Sequence, residues 1–119
     1  MQSVTLYHNP ACSKSRETLA LIRAAGIEPM IIDYLESPLP LSELQALAER
    51  LKIPVSGLMR VNDALYAELK LDAPICTDAQ RLDALHSHPQ LFNRPIAEST
   101  LGIRICRPPQ TVLEILKAQ

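Results

Sequence analysis

The residues Ser3–Tyr34 read SVTLYHNPACSKSRETLALIRAAGIEPMIIDY. Ser3–Tyr7 alternates in polarity and is rich in strand formers, which predicts a first strand. From Ser13 to Ala25 the apolar residues recur at helical spacing, and Gly26 then supplies a stop signal. Pro29–Tyr34 is a nearly continuous apolar run, which predicts a second strand buried on both faces. Strand, helix and strand in this order predict a right-handed βαβ unit and therefore an α/β fold.

The sequence pattern from about residue 41 to about residue 88 predicts helices and no strands. Capping-box sequences at Ser42–Gln45 and Thr77–Gln80 open the first and the last of them. Two shorter helices are expected in between, over Val55–Arg60 and Ala64–Lys70. The leucines expected to face inward in the two capped helices are Leu44, Leu47, Leu51, Leu82 and Leu85. This segment is therefore predicted to be a helical insert.

The C-terminal part of the chain predicts a hairpin and a closing helix. Pro95–Glu98 and Ile103–Cys106 are short strand-forming runs that can pair across Leu101-Gly102. Pro108-Pro109 can begin a helix, because proline is tolerated in the first helical turn. The expected apolar anchors of this helix are Val112, Leu113 and Leu116. The whole order is β-α-β, a helical insert, then β-β-α, within a single domain over residues 1–119.

Composition excludes several classes of function. The chain has 119 residues, a net charge of -1 and three cysteines. Near-neutral charge argues against a broad basic face for nucleic acid, and 3% aromatic residues argue against a stacking platform for single strands. An odd cysteine count argues against a secreted disulfide framework. With no membrane-spanning apolar run and no signal-peptide pattern, we expect a cytoplasmic monomer without a nucleic-acid or membrane partner.

The strand-to-helix corner HNPACSKS (8–15) carries the strongest chemical signal. Cys12 stands where a helix begins, beside backbone N–H groups that stabilise a thiolate more than a thiol. Ser15 lies one turn further on and can donate a hydrogen bond to the sulfur, while His8 and Lys14 add donors or positive charge. The alternative is a small residue buried at a helix start. Because turn, dipole and donors all favour the anion, we interpret Cys12 as a nucleophile.

The other two cysteines do not extend this chemistry. Cys76 precedes a predicted helix cap and Cys106 ends a predicted strand, so both are interpreted as packing residues. Neither forms a C-x-x-C motif with Cys12, so any redox cycle needs an external thiol. A metal site at Cys76, His86 and His88 is not expected, because histidines two apart do not share a helix face.

Three arginines stand at the ends of predicted elements: Arg60, Arg94 and Arg107. A guanidinium is always charged and offers five donors, which suits a tetrahedral oxyanion. Sites in this class of sheet open at the carboxyl ends of parallel strands, where Cys12 is also expected. Their spacing does not by itself bring the three arginines together.

Four motifs follow one another across nearly the whole chain. They are Tyr7-His-Asn-Pro-Ala-Cys12 with Ser15-Arg16, Leu58-Met-Arg60, Asn93-Arg-Pro-Ile96, and Cys106-Arg-Pro-Pro109. Together they resemble the glutaredoxin-linked arsenate reductases of the ArsC family, and the chain length looks like the short chromosomal branch. The resemblance implies a thioredoxin-like fold with a mixed four-stranded sheet and a helical insert. It also implies a cis peptide bond at Arg94-Pro95.

The resemblance further implies roles for individual residues. Cys12 corresponds to the nucleophile, and His8 to the residue that helps to lower its pKa, a task to which Ser15 is expected to contribute. The three oxyanion-binding arginines correspond to Arg60, Arg94 and Arg107. Arsenate would be the substrate, glutathione the cosubstrate and glutaredoxin the partner, with no bound cofactor or metal.

Two other functions stay open on the sequence. One is a general glutathione-dependent thiol oxidoreductase that uses Cys12 on mixed disulfides. The other is a non-enzymatic regulatory module, related to the thioredoxin-like proteins that bind RNA polymerase. Those regulators often carry C-x-x-C, whereas Ser15 occupies the second position here.

Overall fold

The computed structural model describes residues 3–116. The strands are β1 (Val4–His8), β2 (Met30–Asp33), β3 (Ile96–Ser99) and β4 (Gly102–Ile105). The α-helices are α1 (Ser13–Ala24), α2 (Leu41–Leu51), α3 (Ala64–Glu68) and α4 (Asp78–Ser87). Shorter 3₁₀ helices cover Val55–Leu58, Pro89–Leu91 and Pro109–Ile115. The chain forms two compact units, one from the residues up to Ser37 with those from Arg94 onward, the other from Pro38–Asn93.

The first unit is built on a four-stranded sheet of order β2-β1-β3-β4. β2 runs parallel to β1, while β3 runs antiparallel to both β1 and β4. One row of the sheet joins Tyr7 to Ile96 and Ile96 to Ile105. The predicted mixed sheet and hairpin are thus confirmed, and the arrangement is thioredoxin-like.

One face of this sheet is covered by α1 and by the 3₁₀ helix Pro109–Ile115, which contact each other. Their shared core consists of Val4, Leu6, Ile22, Ile27, Ala97, Cys106, Val112 and Ile115. The predicted stop of α1 is confirmed, since Gly26 follows the helix with a φ of 82°. A positive φ of this size is readily adopted by glycine and costs other residues free energy.

The second strand differs from its prediction. β2 lies at an edge of the sheet, and Met30 and Ile31 are 66% and 40% exposed. The expectation of a strand buried on both faces is therefore wrong. A continuous apolar run is typical of an inner parallel strand, but it does not report how many neighbours the strand finds.

The closing helix also differs from its prediction, because it is a 3₁₀ helix over Pro109–Ile115. Its buried residues are Pro109, Val112 and Ile115, whereas Leu113 is 52% exposed. A 3₁₀ helix has three residues per turn, so every third residue faces the same side. The choice of Val112 as an anchor is confirmed, and that of Leu113 is wrong.

In the second unit, α4 contacts α2 and both short 3₁₀ helices. The predicted capping box at the start of α4 is confirmed: the Gln80 N–H donates to Thr77 Oγ1 at 3.1 Å, and the Thr77 N–H donates to Gln80 Oε1 at 2.9 Å. Four of the predicted inward leucines are buried, namely Leu44, Leu47, Leu82 and Leu85.

The other predicted capping box, Ser42–Gln45, is wrong. Pro40 is the N-cap of α2, and no side chain caps the helix there. Ser42 therefore lies inside the first turn, one residue beyond the start at Leu41. The two central helices are also shorter than predicted, ending at Leu58 and Glu68.

Candidate active site

The topology of the first unit brings three chain segments to one end of its sheet, namely the end where β1 has its C-terminus. β1 ends at His8, and the chain then passes through Cys12 into α1. β3 is antiparallel to β1, so the segment that leads into β3, which contains Arg94, lies at the same end of the sheet. β4 is antiparallel to β3, so β4 also ends there, and Arg107 follows its last residue closely.

Cys12 is the N-cap residue of α1, with φ and ψ of -93° and 123°. Its N–H donates to the Asn9 carbonyl at 3.0 Å, and its own carbonyl accepts from the Arg16 N–H at 3.0 Å. The thiol is half-buried and makes no side-chain cap hydrogen bond to α1, but the backbone N–H groups of Lys14 and Ser15 act on the sulfur and favour its anionic form. The residue thus occupies the helix start that its sequence position predicts.

The pKa of the Cys12 thiol lies below its ordinary value, because several groups act on the sulfur. Partial burial is the largest influence and raises the pKa. The N–H groups of Ser15 and Lys14 and the guanidinium of Arg94, through a hydrogen bond and its charge, together outweigh it. Each of these donors stabilises the thiolate.

His8 and Ser15 form a buried pair under the corner. His8 Nδ1 and Ser15 Oγ are 2.6 Å apart, and the Asn9 N–H also donates to Ser15 Oγ at 3.1 Å. Ser15 is fully buried and His8 is 5% exposed. Ser15 therefore acts on the Cys12 sulfur through its backbone N–H, while its hydroxyl binds the His8 ring and the Asn9 N–H.

The pKa of His8 is lowered, chiefly by burial, although the nearby Asp33 carboxylate opposes the shift. Arg23 and Arg16 lower it further. The ring is consequently neutral at pH 7. It acts on the corner through the hydroxyl of Ser15.

Asn9 also holds the corner, a role that is not predicted above from its place in the sequence. Its side-chain Oδ1 accepts from the Ala11 N–H at 3.0 Å, and the residue is 8% exposed. The Asn-Pro dipeptide was a usable signal, since asparagine commonly bonds to the backbone two residues on in a turn.

Arg94 and Arg107 lie together in the first unit with Cys12. Arg107 Nη1 donates to the Arg94 carbonyl at 2.6 Å, and the Arg94 guanidinium helps to lower the pKa of the Cys12 thiol. Arg94 is half-buried and Arg107 is exposed. The Arg94-Pro95 peptide bond is cis, which confirms the expectation, and Arg107-Pro108 is cis as well.

Arg60 belongs to the second unit and follows the 3₁₀ helix Val55–Leu58. Its N–H donates to the Leu91 carbonyl at 2.7 Å. Its guanidinium Nη1 lies 3.8 Å from the carboxylate of Asp63, which also caps α3.

The remaining cysteines have different environments. Cys106 is fully buried in the core of the first unit, and burial raises the pKa of its thiol to about 12. Cys76 is half-buried, and its thiol donates to the Thr77 carbonyl at 3.7 Å. It borders a cavity of about 450 Å³ whose lining residues, between Leu69 and His88, all belong to the second unit.

Two kinds of feature are absent from residues 3–116. No helix in this part of the chain is long and apolar enough to cross a membrane. No group of three His, Cys, Asp or Glu side chains in the same range could hold a metal ion.

The sequence and the structure are both similar to those of known proteins. The pattern of the ArsC family matches residues 7–115. An arsenate reductase of Escherichia coli strain K12 is 48% identical over 116 residues, which cover 98% of this chain and 82% of that protein. One of Haemophilus influenzae is 47% identical over 115 residues, covering 96% and 99%.

Among solved structures, an arsenate reductase from Vibrio cholerae superimposes with a TM-score of 0.92 and 45% identity. The match covers 97% of this chain and 98% of that one. Together with the pattern match over residues 7–115, this likeness establishes the family. The chain belongs to the ArsC family.

Proposed function

We propose that the protein is an arsenate reductase in which Cys12 is the nucleophile and glutathione and glutaredoxin supply the electrons. The observation that carries the proposal is the environment of the Cys12 sulfur. It lies at the start of α1, where the backbone N–H groups of Ser15 and Lys14 and the Arg94 guanidinium together lower the pKa of the thiol. The arsenate reductases that resemble the chain over nearly its full length supply the substrate class.

The arginines supply the proposed oxyanion site. Arg94 and Arg107 lie at the same end of the sheet as Cys12. Their positive charges would offset the negative charges of bound arsenate. Arg60 is proposed as the third member on the resemblance of its motif. A preorganised cation cluster of this kind would hold arsenic within reach of the sulfur.

The chemistry balances with two external thiol equivalents. The Cys12 thiolate forms a sulfur–arsenic bond, and one arsenate oxygen leaves as water after taking up protons. Glutathione displaces a second arsenate oxygen as water, and the glutaredoxin thiolate then attacks the glutathione sulfur, so that the arsenic–sulfur electron pair stays on arsenic and reduces it. Water displaces the Cys12 thiolate from arsenic and releases arsenite, and a second glutathione reduces the glutaredoxin–glutathione disulfide. Overall, arsenate and two glutathione molecules give arsenite, glutathione disulfide and water, so that arsenic gains the two electrons that the thiols lose.

The requirement for external thiols also bears on location and assembly. Cys76 and Cys106 do not form a C-x-x-C motif with Cys12, so glutathione takes the part of a resolving thiol. Thiols and arsenate react without a bound prosthetic group. We therefore place the protein in the reducing cytoplasm, as a monomer.

A coupled assay tests the proposal. With glutathione, glutaredoxin, glutathione reductase and NADPH present, adding arsenate should start NADPH oxidation. Cys12→Ser should abolish this rate, because a serine hydroxyl without an activating base is a far weaker nucleophile than a thiolate. Cys76→Ser is the matched control and should keep it. Absence of turnover at any arsenate concentration would rule out the proposed activity.

The same assay separates the two alternatives. A general thiol oxidoreductase would oxidise NADPH with a glutathione mixed disulfide as substrate and no arsenate. Turnover of the mixed disulfide together with failure on arsenate would favour that function. A folded protein inactive on both substrates would favour the regulatory module.

A further inference from the structure

The corner between β1 and α1 is held by hydrogen bonds to its own backbone. The Cys12 N–H donates to the Asn9 carbonyl at 3.0 Å, and the Asn9 N–H donates to Ser15 Oγ at 3.1 Å. The Ala11 N–H donates to the side chain of Asn9 at 3.0 Å. Pro10, between them, has no N–H to donate. The main chain and side chain of Asn9 therefore take part in every one of these bonds.

The outer side of the corner is held by a different residue. Arg16 Nη1 donates to the Pro10 carbonyl at 2.9 Å, and this contact is exposed to solvent. The Asn9 contact is largely shielded, since Asn9 is 8% exposed. Burial strengthens a hydrogen bond and makes its loss costly.

The Asn9 side chain can affect Cys12 through Ala11, which lies between the two residues in the chain. Ala11 immediately precedes Cys12, so the orientation of its peptide group sets the direction in which Cys12 enters α1. That entry in turn sets where the sulfur lies relative to the N–H groups of Lys14 and Ser15, which act on it at the start of α1. Asn9 Oδ1 is the side-chain acceptor that fixes this peptide group.

We propose that Asn9 is a positioning residue for Cys12: its side-chain oxygen holds the Ala11 peptide and thereby keeps the Cys12 sulfur at the N–H groups that open α1. The inference rests on the proposed function only in naming Cys12 as the nucleophile. Without the amide oxygen, the turn gains conformational freedom, and the sulfur spends less time at its donors. The thiolate is then less stabilised, and Cys12 becomes less reactive at neutral pH.

The test is the pH profile of Cys12 alkylation by iodoacetamide, followed by mass spectrometry of the Cys12 peptide. Asn9→Ala should raise the apparent pKa by about one unit, which leaves about tenfold less thiolate at any pH well below that pKa. The kcat/KM for arsenate should fall by a similar factor. Thr77→Ala is the matched control, because it also removes one side-chain acceptor from a backbone N–H at a helix start. It should lower the Tm but leave the Cys12 profile unchanged.

A merely structural role would give a different pattern. If the Asn9→Ala profile superimposed on that of the wild type while the Tm fell as in Thr77→Ala, the proposal would be overturned. Should Asn9→Ala fail to fold, Asn9→Gln takes its place, since it keeps the amide but is one methylene too long for the turn. The same shift is expected, and a superimposed profile would again refute the positioning role.

The alkylation readout does not depend on arsenate turnover. A shifted profile in a protein that fails to reduce arsenate would therefore support the role of Asn9 and reject the proposed function. An unshifted profile in an active enzyme would do the reverse.

Discussion

Two residues at the corner between β1 and α1 have lowered pKa values for different reasons. For His8 the cause is burial, which disfavours the charged ring. For Cys12 burial acts the other way, and the hydrogen bonds from Ser15, Lys14 and Arg94 outweigh it. A largely neutral imidazole thus lies beneath a thiol whose pKa is lowered, and Arg94 is the charged side chain that contributes to the lowering.

The shift of His8 predicts how stability depends on pH. The pKa of His8 is near 6.5 in the unfolded chain and lower in the folded one. The unfolded chain therefore binds more protons in this range, and stability falls as the pH drops below 6.5. We expect urea unfolding between about pH 7.5 and 5.5 to show this loss, and His8→Gln to show a flatter dependence. Parallel curves for the two proteins would contradict the account.

The sequence predicts Cys12 well but its neighbours only in part. A cysteine at a predicted helix start has nearby N–H donors whatever the details of packing. The Ser15 hydroxyl is paired with the ring of His8, whose position is set by the sheet, so the hydroxyl is not directed to the sulfur. The role of Asn9 is not predicted for a similar reason. The sequence indicates its turn contact with Ala11, but the proposed effect on Cys12 depends on how the turn is oriented in the fold.

At the scale of elements, the two capping-box sequences have different outcomes. Thr77 and Gln80 make both reciprocal bonds at the start of α4. Ser42 does not cap α2, because Pro40 already occupies the N-cap position with an extended backbone. The same sequence pattern therefore contributes a cap only where the helix begins at the matching residue.

This difference gives a paired prediction for stability. Thr77→Ala should lower the free energy of unfolding by about 1 kcal/mol, because the Gln80 N–H loses its acceptor. Ser42→Ala should change it by less than about 0.5 kcal/mol, since no cap is lost. Chemical denaturation of both variants measures the two values. Equal losses would show that the structural assignment of the caps is wrong.

The elements that sequence patterns misjudge are those that depend on distant partners. The apolar run of β2 does not reveal that β3 pairs with β1 on its other side and leaves β2 at the edge. The closing segment carries leucines at α-helical spacing, yet it packs on α1 as a 3₁₀ helix. In both cases the neighbour, rather than the local propensity, decides burial.

At the scale of the whole molecule, sheet pairing gathers residues that are far apart in the chain. Arg94 and Arg107 come to Cys12 because β3 and β4 pair beside β1. Sequence spacing could not show this convergence, since it depends on the order of strands. The motif resemblance supplied the expectation, and the strand order supplies its physical reason.

The arginines lead to a prediction about substrate affinity. Arg107→Ala should raise the KM for arsenate by roughly ten- to a hundredfold, because a charge-assisted contact is lost. Stability should change little, since Arg107 is exposed. Arg104→Ala is the matched control: Arg104 pairs with Glu114 at 3.1 Å and should leave the KM unchanged. An equal rise in KM for both variants would remove Arg107 from the oxyanion site.

The position of β3 beside β1 also has a consequence for how the protein is made. A ribosome delivers Cys12 early, whereas Arg94 and β3 are synthesised only after the whole segment Pro38–Asn93 has emerged. Until β3 pairs, the nascent thiol lacks the guanidinium that lowers its pKa. We therefore expect the pKa of Cys12 to reach its final value late, and to be higher in a chain truncated before Arg94 than in the full chain.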